Sequence, residues 1–144
     1  MQRGRQHSRG FTLVELMVII GIVGLIAVIA VPSFNGYLRA NLVDTTADRI
    51  VADMALARSL AVSQGRVVRF AGVATGYQIL DPVGGDVIRD RTFEGTVALD
   101  ADVNVNFYPW GAADTATLDL GNGSETRTVA VLPTGLAEVQ PCGP

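Results

Sequence analysis

Beyond Pro32 this chain of 144 residues has no lysine and no histidine, its one histidine being His7 near the start. Lysine Schiff bases, histidine general bases and histidine metal ligands are therefore excluded from most of the sequence. Cys142 is the sole cysteine, so no disulfide can close within the chain, even in an oxidising compartment. A free thiol near a loose end, or a bridge to another chain, is what that residue allows. Aromatics amount to only 6%, too few to interleave with arginines as a nucleic-acid stacking surface. The length leaves room for one compact domain once the apolar segment described next is set aside, and excludes a large multidomain enzyme.

What the chain does have is a long apolar run, Phe11 to Val31, interrupted by one acid, Glu15. At helical rise it spans roughly 31 Å, the thickness of a hydrocarbon core. Arg3, Arg5 and Arg9 precede it without an acid, whereas the part from Pro32 onward holds eight arginines against thirteen acids, a net charge of −5. The positive-inside rule then places residues 1–10 in the cytoplasm and the acidic part across the membrane. An ordinary cleaved signal fits poorly, because this run exceeds the usual 7–15 apolar residues of such signals, contains Glu15 and continues into a helical pattern.

From Phe34 to Gly65 the apolar residues Leu38, Leu42, Ile50, Met54, Ala57 and Ala61 recur at helical spacing, with Asp44, Asp48 and Arg49 off that stripe. This predicts an amphipathic helix over 32–64, closed by Gly65 as a C-cap. Joined to the membrane run through Gly21, Gly24 and Pro32, which are points of soft interruption or close packing, it makes one helix of roughly 80 Å. After Gly65 the texture changes to short β-branched runs divided by Gly, Asp, Asn and Pro: RVVRF, GYQIL, VIRDRTF, TVAL, VNVNFY, ATLDL and RTVAVL. One long helix followed by antiparallel strands predicts an α+β chain in which a sheet or sandwich packs on the helix stripe. The clearest hairpin turns near Asn122 and Gly123.

RGFTLVELMVIIGIVGLIAVIAVPSF, residues 9–34, resembles the class III signal and N-terminal helix of type IV pilins and type II secretion pseudopilins. The resemblance rests on a short basic leader, Gly10, Phe11, Thr12, Glu15 and Pro32. It implies a leader, 1–10, that a prepilin peptidase removes between Gly10 and Phe11, with Phe11 then N-methylated. It also implies a transmembrane half, 11–31, an amphipathic half, 32–64, and a periplasmic β-rich domain, 65–144. LARSLAVSQGRVVRF, FYPWG and RTVAVLPTGLAEV resemble the GspH and FimT branch of minor subunits over almost the whole chain. The implied function is a minor pseudopilin near the tip of a type II secretion pseudopilus, with a FimT-like minor pilin as the alternative. Prepilin peptidase, other pilins or pseudopilins in a filament, and the bacterial inner membrane are the implied partners.

Glu15 lies four residues after Phe11, hence on the same helix face about one turn away. Cleavage would create a positive amine on Phe11 there, and in the family that Glu aligns with the amine of a neighbouring subunit. The alternative is a carboxylate that simply favours a helix N-terminus.

Other groupings carry less. Asp81, Asp86 and Asp90 suggest calcium by their oxygen ligands, but their spacing is not that of an EF-hand loop and a solvated hairpin is expected. Asp100 and Asp102 are expected to share one face of a strand at the surface. Arg66 with Arg69, and Arg89 with Arg91, are expected as solvated strand positions rather than as a phosphate-binding patch, given the acidic domain. Some FimT-type subunits bind DNA through an arginine in a C-terminal TGR stretch, and here Leu136 stands at that place, which counts against nucleic acid as a partner. Trp110 is read as a partner anchor, a core residue or a turn plug. Ser59 and Ser63 lack an activating His or Lys, so the chain is read as non-enzymatic, with no cofactor and no metal.

Overall fold

The computed structural model describes residues 11–123 and 125–140, with the backbone alone for residues 29–35. Its elements are helix α1 (Leu13–Gln64) and strands β1 (Val68–Val73), β2 (Gly76–Leu80), β3 (Val87–Thr92), β4 (Ala98–Leu99), β5 (Val103–Phe107), β6 (Ala116–Gly121), β7 (Thr126–Val131) and β8 (Ala137–Gln140). The chain divides into two compact units, Met1–Tyr37 and Leu38–Pro144. Helix assignment continues through Gly21, Gly24 and Pro32.

In the second unit the strands form two antiparallel four-stranded sheets, ordered β3-β2-β1-β5 and β4-β6-β7-β8. Strand alternation sends Val68 and Phe70 of β1, Tyr77 and Ile79 of β2, and Val105 and Phe107 of β5 inward. From the other sheet come Leu118, Leu120, Val129 and Val131. One core joins these residues to the buried face of α1, confirming the expected α+β architecture.

The helix stripe is Val43, Ala47, Ile50, Met54, Ala57 and Ala61, all fully buried. Steps of three and four run back from Ile50 through Ala47 to Val43, which rotates Leu42 to a half-buried flank and leaves Leu38 exposed. The expected membership of Leu38 and Leu42 is corrected accordingly. Gly65 ends the helix at φ +64°, and the Arg66 N–H returns to the Ala61 carbonyl at 3.3 Å, a Schellman closure. Because that N–H is used by the cap, β1 starts at Val68 rather than at Arg66.

Strand β8 was not expected from its sequence, Ala-Glu-Val-Gln, which has weak strand preference. It forms by pairing with β7, Val139 opposite Val129. Strands β6 and β7 make the predicted hairpin, with Gly121 opposite Thr126 and the Asn122 N–H bonded to the Glu125 carbonyl at 3.1 Å. Asp100 and Asp102 flank a bend between β4 and β5, so their expected common strand face is not formed.

Three charged groups fasten the layers. Asp53 on α1 is buried and accepts from Tyr77 Oη at 2.7 Å, Arg89 Nη1 at 2.7 Å and Arg91 Nε at 3.3 Å. Arg58 donates through Nε to the Gly111 carbonyl at 2.9 Å. Gly135 packs against that junction at φ +75°, where a Cβ would sit 2.3 Å from the Gly111 oxygen, so no side chain fits. Arg127 pairs with Asp44 at 2.5 Å, tying the second sheet to the helix.

Asp81 is not the solvated hairpin residue expected, because it is buried at the base of the β2–β3 turn. Its carboxylate accepts from the Val83 N–H at 2.9 Å and pairs with Arg66. The backbone N–H groups of Val83 and Gly84, with Arg66 behind them, hold this carboxyl below its ordinary range. Asp86 and Asp90 are exposed, Asp90 accepting from Gln78 at 3.1 Å.

Two outcomes follow for stability. Asp53→Ala leaves a buried phenol and two arginines without their acceptor. Since Arg89 and Arg91 are 35% and 48% exposed and can recover water, the loss is about 2 kcal/mol rather than the full cost of a broken interior pair. Urea unfolding followed by circular dichroism measures it, and an unchanged midpoint refutes the fastening role. For Asp81 the folded state favours the charged form, so its contribution is full above the ordinary carboxylate range and fades as pH falls through the lowered value. Unfolding curves of the wild type and Asp81→Asn should therefore differ at neutral pH and converge in acid; a gap that stays constant to low pH contradicts this.

Candidate assembly site

Thr12 opens α1 as its N-cap. Its carbonyl accepts the Leu16 N–H at 3.2 Å and its Oγ1 accepts the Glu15 N–H at 3.2 Å. The sequence Thr-Leu-Val-Glu fits a capping box, of which this is the first half. The Glu15 carboxylate is exposed and, among the described residues, has no ion-pair partner. Phe11, one residue before the cap, is 74% exposed. The first turn thus presents an aromatic ring and a carboxylate on a fixed helical frame.

Downstream the apolar side chains from Leu13 to Val28 point outward on every side, none of the large ones less than 41% exposed. Apolar surface of this extent in a single helix needs lipid or other helices against it. Among the described residues no helix is long and apolar enough to cross a membrane. The run Phe11–Val31 extends past Val28, the last of its residues described with a side chain. Where a Cβ would sit on Gly21 or Gly24 there is no atom within 4 Å, so these glycines leave gaps rather than fill them. Pro32 continues the helix although it has no N–H to return to the preceding turn. Gly10, the rest of the leader with His7, and Cys142 lie outside the described residues.

The groupings on the domain are structural in their contacts. Arg89 and Arg91 converge on Asp53, and Arg66 meets Asp81, so none of the three is the simple solvated strand residue expected. Arg69 donates to Asn106 Oδ1 at 2.9 Å. Burial, and next the hydrogen bond to Asp53, push the Tyr77 phenol well above its usual range. Asp53 was missed in the sequence because an acid one position before Met54 reads as off-stripe; Arg89 and Arg91 on one strand face were the available hint.

Trp110 is 74% exposed, which excludes the core reading, and its ring stacks on Tyr108 with centroids 4.8 Å apart. The Tyr108 hydroxyl donates to Asp114 at 3.0 Å, which raises the phenol's pKa. Burial opposes the charge on Asp114, but the Asn106 side chain, Tyr108, the Asn106 N–H and Arg69 together hold its carboxyl below the usual value. Ser59 and Ser63 are exposed on α1, the latter donating to the Leu60 carbonyl at 3.3 Å. Among the described residues no group of acids, cysteines or histidines is placed to hold a metal ion.

Comparison with known proteins accounts for both units. The family model of the type II transport protein GspH matches residues 46–135, and that of the prokaryotic N-terminal methylation motif matches residues 5–31. Over 32 residues the chain is 55% identical to prepilin peptidase-dependent protein D of Escherichia coli K12. That match covers 22% of each chain, so it spans about a fifth of the curated relative's length. The crystal structure of the type IV minor pilin FimU of Pseudomonas aeruginosa PAO1 is similar with a TM-score of 0.59 and 21% identity, over 70% of this chain and 90% of that one. A second crystal form of FimU gives 0.56 and 19%, over 68% and 92%. At such identity the likeness shows a shared fold. With the GspH match spanning more than half its length and the methylation motif ahead of it, the chain belongs to the GspH family and is a prepilin of the GspH/FimT kind, a type IV pilin-like minor pilin or pseudopilin.

Proposed function

We propose that the chain is a minor pseudopilin of a type II secretion system, made as a prepilin and assembled near the tip of a pseudopilus. In this reading prepilin peptidase cuts between Gly10 and Phe11, Phe11 is N-methylated, and residues 11–31 hold the subunit in the inner membrane. The acidic domain then lies in the periplasm. The observation that carries it is the exposed Glu15 carboxylate, fixed one turn from Phe11 on an apolar helix that no described residue of its own unit covers.

The lone subunit tolerates Glu15 because a first-turn side chain reaches the interface; at the bilayer centre the same charge costs on the order of 3 kcal/mol. In a filament, neighbouring helices remove that turn from water, and an unpaired charge there becomes expensive. The amine released on a neighbour's first mature residue is the natural counter-charge. Gly21 and Gly24 offer close approach between helices, and Pro32 a place where the helix yields on leaving lipid.

The FimU likeness favours a second reading, a minor pilin for type IV pilus assembly. Neighbouring genes for a secretin and other pseudopilins support secretion, and a pilus gene cluster supports the alternative. A DNA receptor fits less well, since Arg66, Arg89 and Arg91 are held by carboxylates and Leu136 stands where the resemblance places an arginine. The family's pilin-like fold is that of a structural subunit, and energy for assembly would come from a separate cytoplasmic ATPase.

Replacing Gly10 by a bulky residue should leave the leader uncut, seen as the full-length mass by spectrometry. Normal cleavage of that variant counts against the assigned junction. Glu15→Ala should insert normally yet enter filaments on the order of tenfold less, the equivalent of about 1.4 kcal/mol. Equal amounts of both forms in sheared filaments would remove the pairing argument.

A further inference from the structure

A cavity of about 450 Å³ opens beside the last turns of α1. Its helix wall is Ala55, Arg58, Ser59, Val62 and Ser63, which share one face at spacings of three and four, adjacent to the buried stripe. The opposite wall is the Gly135–Ala137 segment, with Leu136 54% exposed at the rim. The tight turn ending at Gly135 seats against Arg58 only because glycine stands there, since a Cβ would lie 2.8 Å from Arg58 Nε.

Arg58 differs from the other arginines of the domain. Arg49, Arg66, Arg89, Arg91 and Arg127 each meet a carboxylate. Arg58 is half-buried, spends its Nε on the Gly111 carbonyl, and among the described residues has no acidic partner. Arg39 and Arg69 also lack an ion pair among the described residues, but Arg39 is exposed to water, and Arg69 donates to Asn106 and lies close enough to Asp114 to help hold that carboxyl below its usual value. A half-buried guanidinium with unspent N–H groups, set in an apolar wall, is complementary to a carboxylate arriving with apolar neighbours.

We propose that this pocket is a docking site for a partner polypeptide that presents an acidic side chain beside an aliphatic one. The carboxylate takes the free Nη groups of Arg58, the aliphatic side chain packs on Val62 and Leu136, and the Ser59 and Ser63 hydroxyls accept N–H groups of the incoming backbone. A polyanion fits less well: the domain carries a net charge of −5 from Pro32 onward, which repels nucleic acid at range, and one arginine does not track a phosphate backbone. The inference goes beyond the assembly reading and does not depend on it.

The test uses the full chain in detergent micelles and a fluorescent hexapeptide amide with one aspartate between leucines, read by anisotropy. Saturable binding is expected, weakened about tenfold or more when asparagine replaces the aspartate. Arg58→Met should lose binding, but it also removes the Gly111 contact. Leu136→Asp is therefore the second variant: it lies at the rim, offers Arg58 an internal carboxylate, and should weaken binding as strongly with an unchanged circular dichroism spectrum. Absence of saturation, equal affinity for the asparagine peptide, or unchanged affinity in both variants overturns the proposal. Tighter binding of a labelled duplex DNA, lost in Arg58→Met, overturns it in favour of nucleic acid.

Discussion

An apolar helix with a charge at its tip is the constraint from which the rest of this subunit follows. From Leu13 to Val28 the helix shows its hydrophobic side chains to the surroundings on all sides, and Glu15 has no counter-charge among the described residues. Such a segment is stable against lipid or against other helices, and among the described residues of its own unit nothing covers it. Thr12 caps the backbone of the first turn through the Glu15 N–H, leaving the carboxylate itself free for another molecule.

The domain is held by a different economy, in which charge is matched internally. Asp53 gathers Tyr77, Arg89 and Arg91 against the helix, Asp44 meets Arg127, and Asp81 is enclosed by its own turn and Arg66. These contacts orient helix and sheets around a core built from Ala47, Ile50, Met54 and Ala57 on one side and Phe70, Phe107 and Leu120 on the other. Small alanines on the helix stripe let the aromatic rings of the sheet approach closely. Five of the domain's eight arginines are held by carboxylates in this way, whereas Arg58 meets only a backbone carbonyl and the Trp110–Tyr108 stack carries an exposed ring at the surface.

Much of this was legible in the sequence because its signals are periodic or local. The helix, its end at Gly65 and the β6–β7 hairpin follow from apolar spacing, a left-handed glycine and turn residues. The GspH family was legible from residues 9–34 together with the later motifs. What escaped were features decided by distant segments. The phase of the stripe at Val43 rather than Leu42 depends on which face the sheets cover. Strand β8 exists because β7 offers it an edge, and Asp53 becomes a core anchor only when two strand arginines reach it. At the candidate site Glu15 was visible as a misplaced charge, whereas the pocket at Arg58 required the turn at Gly135 to be folded against the helix.

The central claim is that the Glu15 carboxylate is matched by an amine that exists only after the leader is removed. Solid-state NMR on assembled filaments tests it directly, with ¹³C at the Glu15 carboxyl of this chain and ¹⁵N at the mature N-terminal nitrogen of its neighbouring subunits. The account predicts strong dephasing from an ion-pair separation of about 4 Å or less. A nearest N-terminal nitrogen well beyond that reach would contradict it.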